Sequence, residues 1–292
     1  MKKQKIRLGE KTIEKVMLIC AFTSVAAVLV ITYVIFAEGI PLFKHVGVGD
    51  FLTGADWDPD AKIPQYGILP MITGSVYTTA IALVLGIPIG LGCAIFLAEI
   101  APRKVSAVLR KIIEILAGIP SIVYGFFGLV VIVPFVRGFR LGPGQSVLAA
   151  GLILAIMILP TIITIAEVSM RAVPKAYKDG SLALGASQWQ TIRKVSLPTA
   201  RSGIIAGIVL GIGRAMGETM AVILVAGNTP IIPESIFQPV RTMTVNVVLD
   251  MSYAVVGSDH YRALFATAIA LFIFTMIINA AVMLLSRKRV TA

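Results

Sequence analysis

The chain has 292 residues, of which 57% are hydrophobic and 14% charged, where ~25% charged is usual for a soluble domain. Adding the 26 Gly makes about two thirds of it apolar, more than a water-soluble globule can cover, so the class is integral membrane protein. Cys20 and Cys93 both lie inside apolar stretches, which excludes a disulfide framework and a CxxC metal site, and the formal net charge of +11 raises nucleic acid only until its distribution is considered.

A helix needs ~20 apolar residues to cross a ~30 Å hydrocarbon core. The first stretch to qualify, Val16–Ala37, follows a basic run (Lys2, Lys3, Lys5, Arg7, Lys11, Lys15). It exceeds the ~7–15 residues of a signal-peptide core, and no small-x-small cleavage site follows, so it reads as an uncleaved anchor. The outside loop Glu38–Ile68 then carries Asp50, Asp56, Asp58 and Asp60 around Trp57. A calcium loop starting at Asp56 needs Gly sixth and Glu twelfth, where Ala61 and Gly67 stand. A solvated loop with turn chemistry is expected instead.

The second span, Met71–Leu97, contains Pro88, and the third, Ile112–Val136, contains Pro120; both are candidates for kinks. Glu99 and Glu114 flank the basic segment Arg103–Lys111 between them and read as solvated helix-end carboxylates. Ser121 and Tyr124 follow Pro120. Their hydroxyls either re-satisfy the carbonyl that the proline frees or line a pathway. The fourth span, Val147–Met170, contains Pro160 and ends with Glu167 and Arg171, spaced to pair on one helix.

Next comes Arg171–Arg201, RAVPKAYKDGSLALGASQWQTIRKVSLPTAR. Pro174 is placed to open a helix. Tyr177, Leu182 and Leu184 offer it an apolar face, and Gly185 can supply a positive φ for a turn. Gln188–Val195 reads as a second helix stopped by Pro198. The fifth span, Gly203–Gly227, has Gly203, Gly207 and Gly211 at four-residue spacing, with Gly213 and Gly217 repeating it, a small-residue seam for helix packing. Arg214 lies about 11 residues into this span, or ~17 Å, near mid-membrane. Glu218 is one turn further on the same face. The two are expected to pair, either to fix the helix or to line a route for an anion. The outside loop Asn228–Tyr261 predicts a short helix over the outer mouth, or a re-entrant segment, before the last span, Ala263–Leu285.

Six spans put both termini on one side. With that side in the cytoplasm, 19 of the 26 Lys and Arg are inside, six outside, and Arg214 within a span. This asymmetry satisfies the positive-inside rule and accounts for the net charge without nucleic acid. There is no GxxxxGK(S/T) loop for ATP phosphates. His45 and His260, the only histidines, both fall outside, which excludes an inner-side Ser-His-Asp site. No cofactor, metal site or catalytic residue is expected, and energy must come from another chain.

The segment Arg171–Arg201 resembles the EAA loop of ABC importer permeases. Asp179, Gly180 and Ser181 stand for EAA, Gly185 for its glycine, Val195 for its isoleucine, and Leu197 and Pro198 for its closing pair. Ile72–Glu99, Leu116–Leu129 and Gly211–Asn228 look like the phosphate-transport permeases. The long first outside loop and GRAMGETMAV point to the PstC type rather than the PstA type. The resemblance implies an all-α, six-span type I importer permease in the cytoplasmic (inner) membrane. Its parts would be an accessory region at 1–68, a permease core at 69–286 and a cytoplasmic tail at 287–292. It implies partners too: a second, PstA-type permease, two ATP-binding subunits that receive the EAA-like loop, an external phosphate-binding protein, and membrane lipid. Trp189, just after the turn, is expected at the ATPase contact because Trp is favoured at interface centres. The expected function is ATP-driven import of inorganic phosphate. The alternatives are a permease for sulfate or molybdate and, from another class, a secondary transporter or channel. Against the latter, no internal repeat is evident.

Overall fold

The computed structural model describes residues 2–287, and side chains over 13–284. The remaining tail, with Lys288 and Arg289, lies outside the described residues. Helix α1 (Lys2–Gly39) includes the basic N-terminal run and stands apart from the body, touching chiefly the last helix. After it come a short α2 (Val48–Thr53) and a two-residue antiparallel pair, β1 (Trp57–Asp58) with β2 (Gln65–Tyr66). Helix α3 (Leu69–Ile95) begins with Pro70 in its first turn and ends in a π turn, Phe96–Ile100. Then follow α4 (Arg103–Gly118), α5 (Ser121–Arg137) and α6 (Val147–Arg171), the last capped by the Ser146 hydroxyl on Ala149 N. Beyond lie α7 (Lys175–Ala183), α8 (Gln188–Gly217), α9 (Met220–Val225), α10 (Met243–Met251) and α11 (Asp259–Arg287). Five described helices are long and apolar enough to cross a membrane, and the bent α4–α5 pair makes a sixth.

The body is built on α6, which α3 packs on one side and α8 on the other. Close approach is the reason. A Cβ on Gly86 would meet Ile158 at 2.8 Å, and one on Gly90 would meet Ile162 at 2.9 Å. On the other side, Cβ atoms on Gly207 and Gly211 would meet Ile165 at 3.1 Å and Ile162 at 3.2 Å, and Gly203 abuts Ser169. Backbones this close replace the missing hydrophobic drive between helices in lipid with dispersion contacts. Gly217, like Gly213, would meet nothing within 4 Å, so the expected seam stops at Gly211 within this chain.

Two spans depart from the sequence pattern, one of them twice. The third is not one rod: α4 and α5 meet at 96° around Pro120. Proline disfavours a helical residue before it, and Ile119 is extended (ψ 128°). Helix α4 carries Arg103, Lys104, Arg110 and Lys111 on one face and Leu109, Ile112 and Leu116 on the other, an amphipathic pattern suited to a membrane surface. The fifth breaks after Gly217, where Glu218 is extended (ψ 130°), and resumes as α9. Thr244 Oγ1 of α10 donates to the Glu218 carbonyl at 3.1 Å, covering backbone that the break exposes. Finally, Pro198 does not stop a helix. Helix α8 runs through it because a π turn, Ile192–Ser196, widens the preceding turn and makes room for the ring.

The first outside loop is not merely solvated. Leu42, Phe51, Trp57 and Ile68 are buried with Met71, Met243 and Leu264 in an outer cluster. Trp57 Nε1 donates to Asp250 Oδ2 at 2.7 Å, and His45 Nδ1 lies 3.1 Å from Asp259. Burial first, then the carboxylates of Asp259 and Asp60, pushes the Tyr66 hydroxyl above its ordinary 10.0.

Candidate functional site

Two regions gather the residues singled out by the sequence. In the first, Arg214 is half-buried on α8, and its Nη1 donates to Thr161 Oγ1 at 3.3 Å. Thr161 lies ten residues from the Arg171 end of α6, ~15 Å along its axis, which places the guanidinium beside the middle of that 25-residue helix. Arg214 makes no ion pair among the described residues. The expected partner, Glu218, is turned away because the helix ends between them. Its Oε1 accepts from Ala221 N at 3.2 Å and caps α9, where a carboxylate suits the helix N-terminus.

Tyr124 is 5% exposed, and its hydroxyl donates to Leu116 O at 2.7 Å. Leu116 is four residues before Pro120, so this is the carbonyl that the proline leaves without its helical donor. Ser121 is half-buried, and its hydroxyl makes no hydrogen bond among the described residues. Sequence reasoning missed Thr161. The available signal was a hydroxyl beside Pro160 in an otherwise apolar run.

The second region is the segment between α6 and α8, expected on the inner side. Helix α7 follows Pro174, Gly185 turns the chain with φ +84°, and Ser187 with Gln190 forms a capping box that opens α8. Ser181 Oγ and Thr191 Oγ1 are 2.9 Å apart and close the two arms on each other. Asp179 and Gly180 face solvent, Val195 and Leu197 are half-buried at the root of α8, and Pro198 is exposed. Leu184 is 91% exposed, Trp189 58% and Tyr177 57%, an apolar surface that nothing among the described residues covers.

The carboxylates nearby are engaged. Glu99 is not a solvated helix end: its side chain is 10% exposed and accepts from Lys178 Nζ at 2.7 Å. Glu167, 4% exposed, accepts from Arg171 Nε at 2.8 Å, as its spacing suggested, and also from Arg110 Nη2 at 2.5 Å. Neither Lys178–Glu99 nor Arg110–Glu167 carries a local sequence signal, since the partners are 79 and 57 residues apart.

The helical architecture is shared with known proteins. Residues 86–290 match the family described as binding-protein-dependent transport system inner membrane component. The chain belongs to this family. It is a transport-system membrane component rather than an enzyme, a multi-pass protein of the type that works with a substrate-binding protein. It is 40% identical over 290 residues to the probable ABC transporter permease protein YqgH of Bacillus subtilis, a match covering 98% of this chain and 94% of that one. It is 36% identical over 286 residues to the phosphate transport system permease protein PstC of Mesorhizobium japonicum, covering 89% and 86%. Among solved structures, the MetNI methionine ABC transporter in an inward-facing conformation superposes with a TM-score of 0.58 at 22% identity, over 75% of this chain and 96% of that one. A bacterial alginate ABC transporter reaches 0.62 at 14% identity, over 90% and 94%. These two likenesses concern the fold.

Proposed function

We propose that this chain is the permease subunit of an ATP-driven importer of inorganic phosphate. The observation that carries the reading is Arg214: a guanidinium at mid-depth, held by one hydroxyl and balanced by no carboxylate among the described residues. An uncompensated Arg at mid-membrane costs ~2.5–3.5 kcal/mol even on the insertion scale. An anionic cargo gives that charge a use, since Arg offers phosphate a bidentate, charge-assisted fork. The relatives named as phosphate transport permeases support the same cargo. Ser121 and Tyr124 would line the route beside it. Glu218 would act by holding the break in the fifth span rather than by neutralising Arg214.

The inner segment, with Gly185 at its turn and Leu184 and Trp189 at its tip, would seat on an ATP-binding subunit, two copies of which flank a pair of permeases. The second permease would be of the PstA type, an external phosphate-binding protein would deliver the cargo, and lipid would cover the apolar face of α1. Residues 69–286 form the core in this reading, with 1–68 accessory to it and both termini in the cytoplasm. Nucleotide-driven closure of the ATPase pair would displace the inner segment and switch access between the two sides as a rigid-body motion.

The test is the full assembly in proteoliposomes, with radiolabelled phosphate outside and ATP within. ATP-dependent uptake that excess sulfate or molybdate leaves intact is the expected result. Uptake of those anions in preference to phosphate would overturn the assigned cargo, and uptake without ATP would overturn the class.

A further inference from the structure

The inner end of α3 is held from three directions by the segment that enters and forms the inner loop. Lys178 Nζ donates to Glu99 Oε1 at 2.7 Å, Gln188 Nε2 to the Glu99 carbonyl at 3.0 Å, and Arg171 Nη2 to the Leu97 carbonyl at 2.6 Å. Glu99 and Leu97 belong to the π turn that ends α3, where the wider spacing and the helix terminus free carbonyls for side chains. Lys178 and Glu99 are 19% and 10% exposed, so their pair is shielded from the screening that weakens surface pairs.

The outer end of the same helix is held as well. Ser75 Oγ accepts from Met243 N, the first residue of α10, at 3.0 Å. Gly74 lies against the Arg241 carbonyl so closely that a Cβ would meet it at 2.5 Å. Helix α10 in turn holds the broken span through Thr244 and the Glu218 carbonyl. Between these ends α3 is a continuous helix of 27 residues, ~40 Å long, braced on α6 through Gly86 and Gly90. Two ends gripped by polar contacts and a stiff middle are what mechanical transmission across a membrane requires.

We infer that α3 is the rod that carries displacement of the inner segment to the outer helix α10, with Lys178–Glu99 as its inner clamp and Ser75–Met243 as its outer one. This rests on the permease reading above and adds the element that links its two gates. Glu99, Lys178 and Ser75 are positioning residues: they touch no cargo and act through α3.

The experiment measures phosphate uptake and ATP hydrolysis in the same proteoliposomes, using the full assembly, and takes their ratio. Glu99→Gln and Lys178→Gln should each lower phosphate taken up per ATP about fivefold or more, the low end of coupling between distant sites. The exchanged pair, Glu99→Lys with Lys178→Glu, should recover most of the ratio, because Gln188 holds the backbone at residue 99 in either case. Ser75→Ala should lower the ratio too. Adding it to Glu99→Gln should bring no further multiplicative loss, since both act on one rod. A wild-type ratio in Glu99→Gln, or losses that multiply in the double variant, would overturn the inference. If the exchanged pair does not co-purify with the ATPase subunit, the Glu99→Gln and Ser75→Ala cycle decides alone. Absence of uptake by the unmodified assembly would strike the phosphate reading instead, and the same cycle would then be read on ATPase stimulation by the binding protein.

Discussion

Replacing Arg214 by Met removes the charge while keeping a long, flexible side chain. The Arg costs ~2.5–3.5 kcal/mol at mid-membrane. Its one described hydrogen bond, to Thr161 at 3.3 Å, is long, and a bond to a charged group returns about 1.5 kcal/mol or less at that length. The balance is a destabilising residue, and Arg214→Met should stabilise the chain by ~1–2 kcal/mol. Phosphate uptake should fall to background at the same time, as expected where a functional charge is maintained against stability. The assay pairs the thermal denaturation midpoint of the detergent-solubilised assembly with uptake in proteoliposomes. Arg214→Lys, which keeps the charge but not the fork, should retain part of the uptake. A lower midpoint together with surviving uptake in Arg214→Met would refute the reasoning, because Arg214 would then be a structural anchor.

Further outcomes are expected elsewhere. Gly185→Asp places a side chain at φ +84°; no atom blocks it, so its cost is backbone strain of about 1–3 kcal/mol, and the ATPase subunit should co-purify poorly while the chain still reaches the membrane. Single cysteines at Asp56 and Ser187, in a background without Cys20 and Cys93, should react with impermeant reagents from opposite faces; reaction from one face would overturn the topology. The raised Tyr66 pKa means that the folded outer cap holds its proton more tightly than the unfolded chain, which ionises at about 10.0. Stability from this source is therefore constant below pH 10 and falls as pH rises beyond it. Trp57, paired with Tyr66 across β1 and β2, should report the loss as a fluorescence change that Tyr66→Phe abolishes.

Much of the fold was legible because lipid imposes a simple rule on length and hydropathy. What proline does was not legible. Pro88 and Pro160 sit inside continuous helices, Pro198 is absorbed by a π turn, and Pro120 alone produces a right angle. Gly86 and Gly90 illustrate the reason, since they let α6 brace the helix on either side of Pro88, and such support belongs to the neighbouring span. The Arg214–Glu218 pairing failed for a related reason: four-residue spacing is adjacency only if the helix continues, and the break after Gly217 is stabilised by Thr244 of α10, 26 residues beyond Glu218. The inner turn at Gly185 was readable, being local. The attachment of Lys178 to Glu99 was not, because two charges 79 residues apart leave no mark on either neighbourhood.

The π turns at Phe96–Ile100, Gly128–Ile132 and Ile192–Ser196 set how this chain tolerates length changes. Each holds one residue more than an α-turn needs, so deleting a residue there leaves a regular helix rather than a gap. The helix beyond would instead be re-indexed by ~100° about its own axis. Loss of one residue within 192–196 would leave α8 helical and apolar while carrying Arg214 away from Thr161, and the glycines that admit α6 away from Ile162 and Ile165. In this chain the number of residues between the inner segment and the buried cation is therefore a phase, and composition alone does not preserve it.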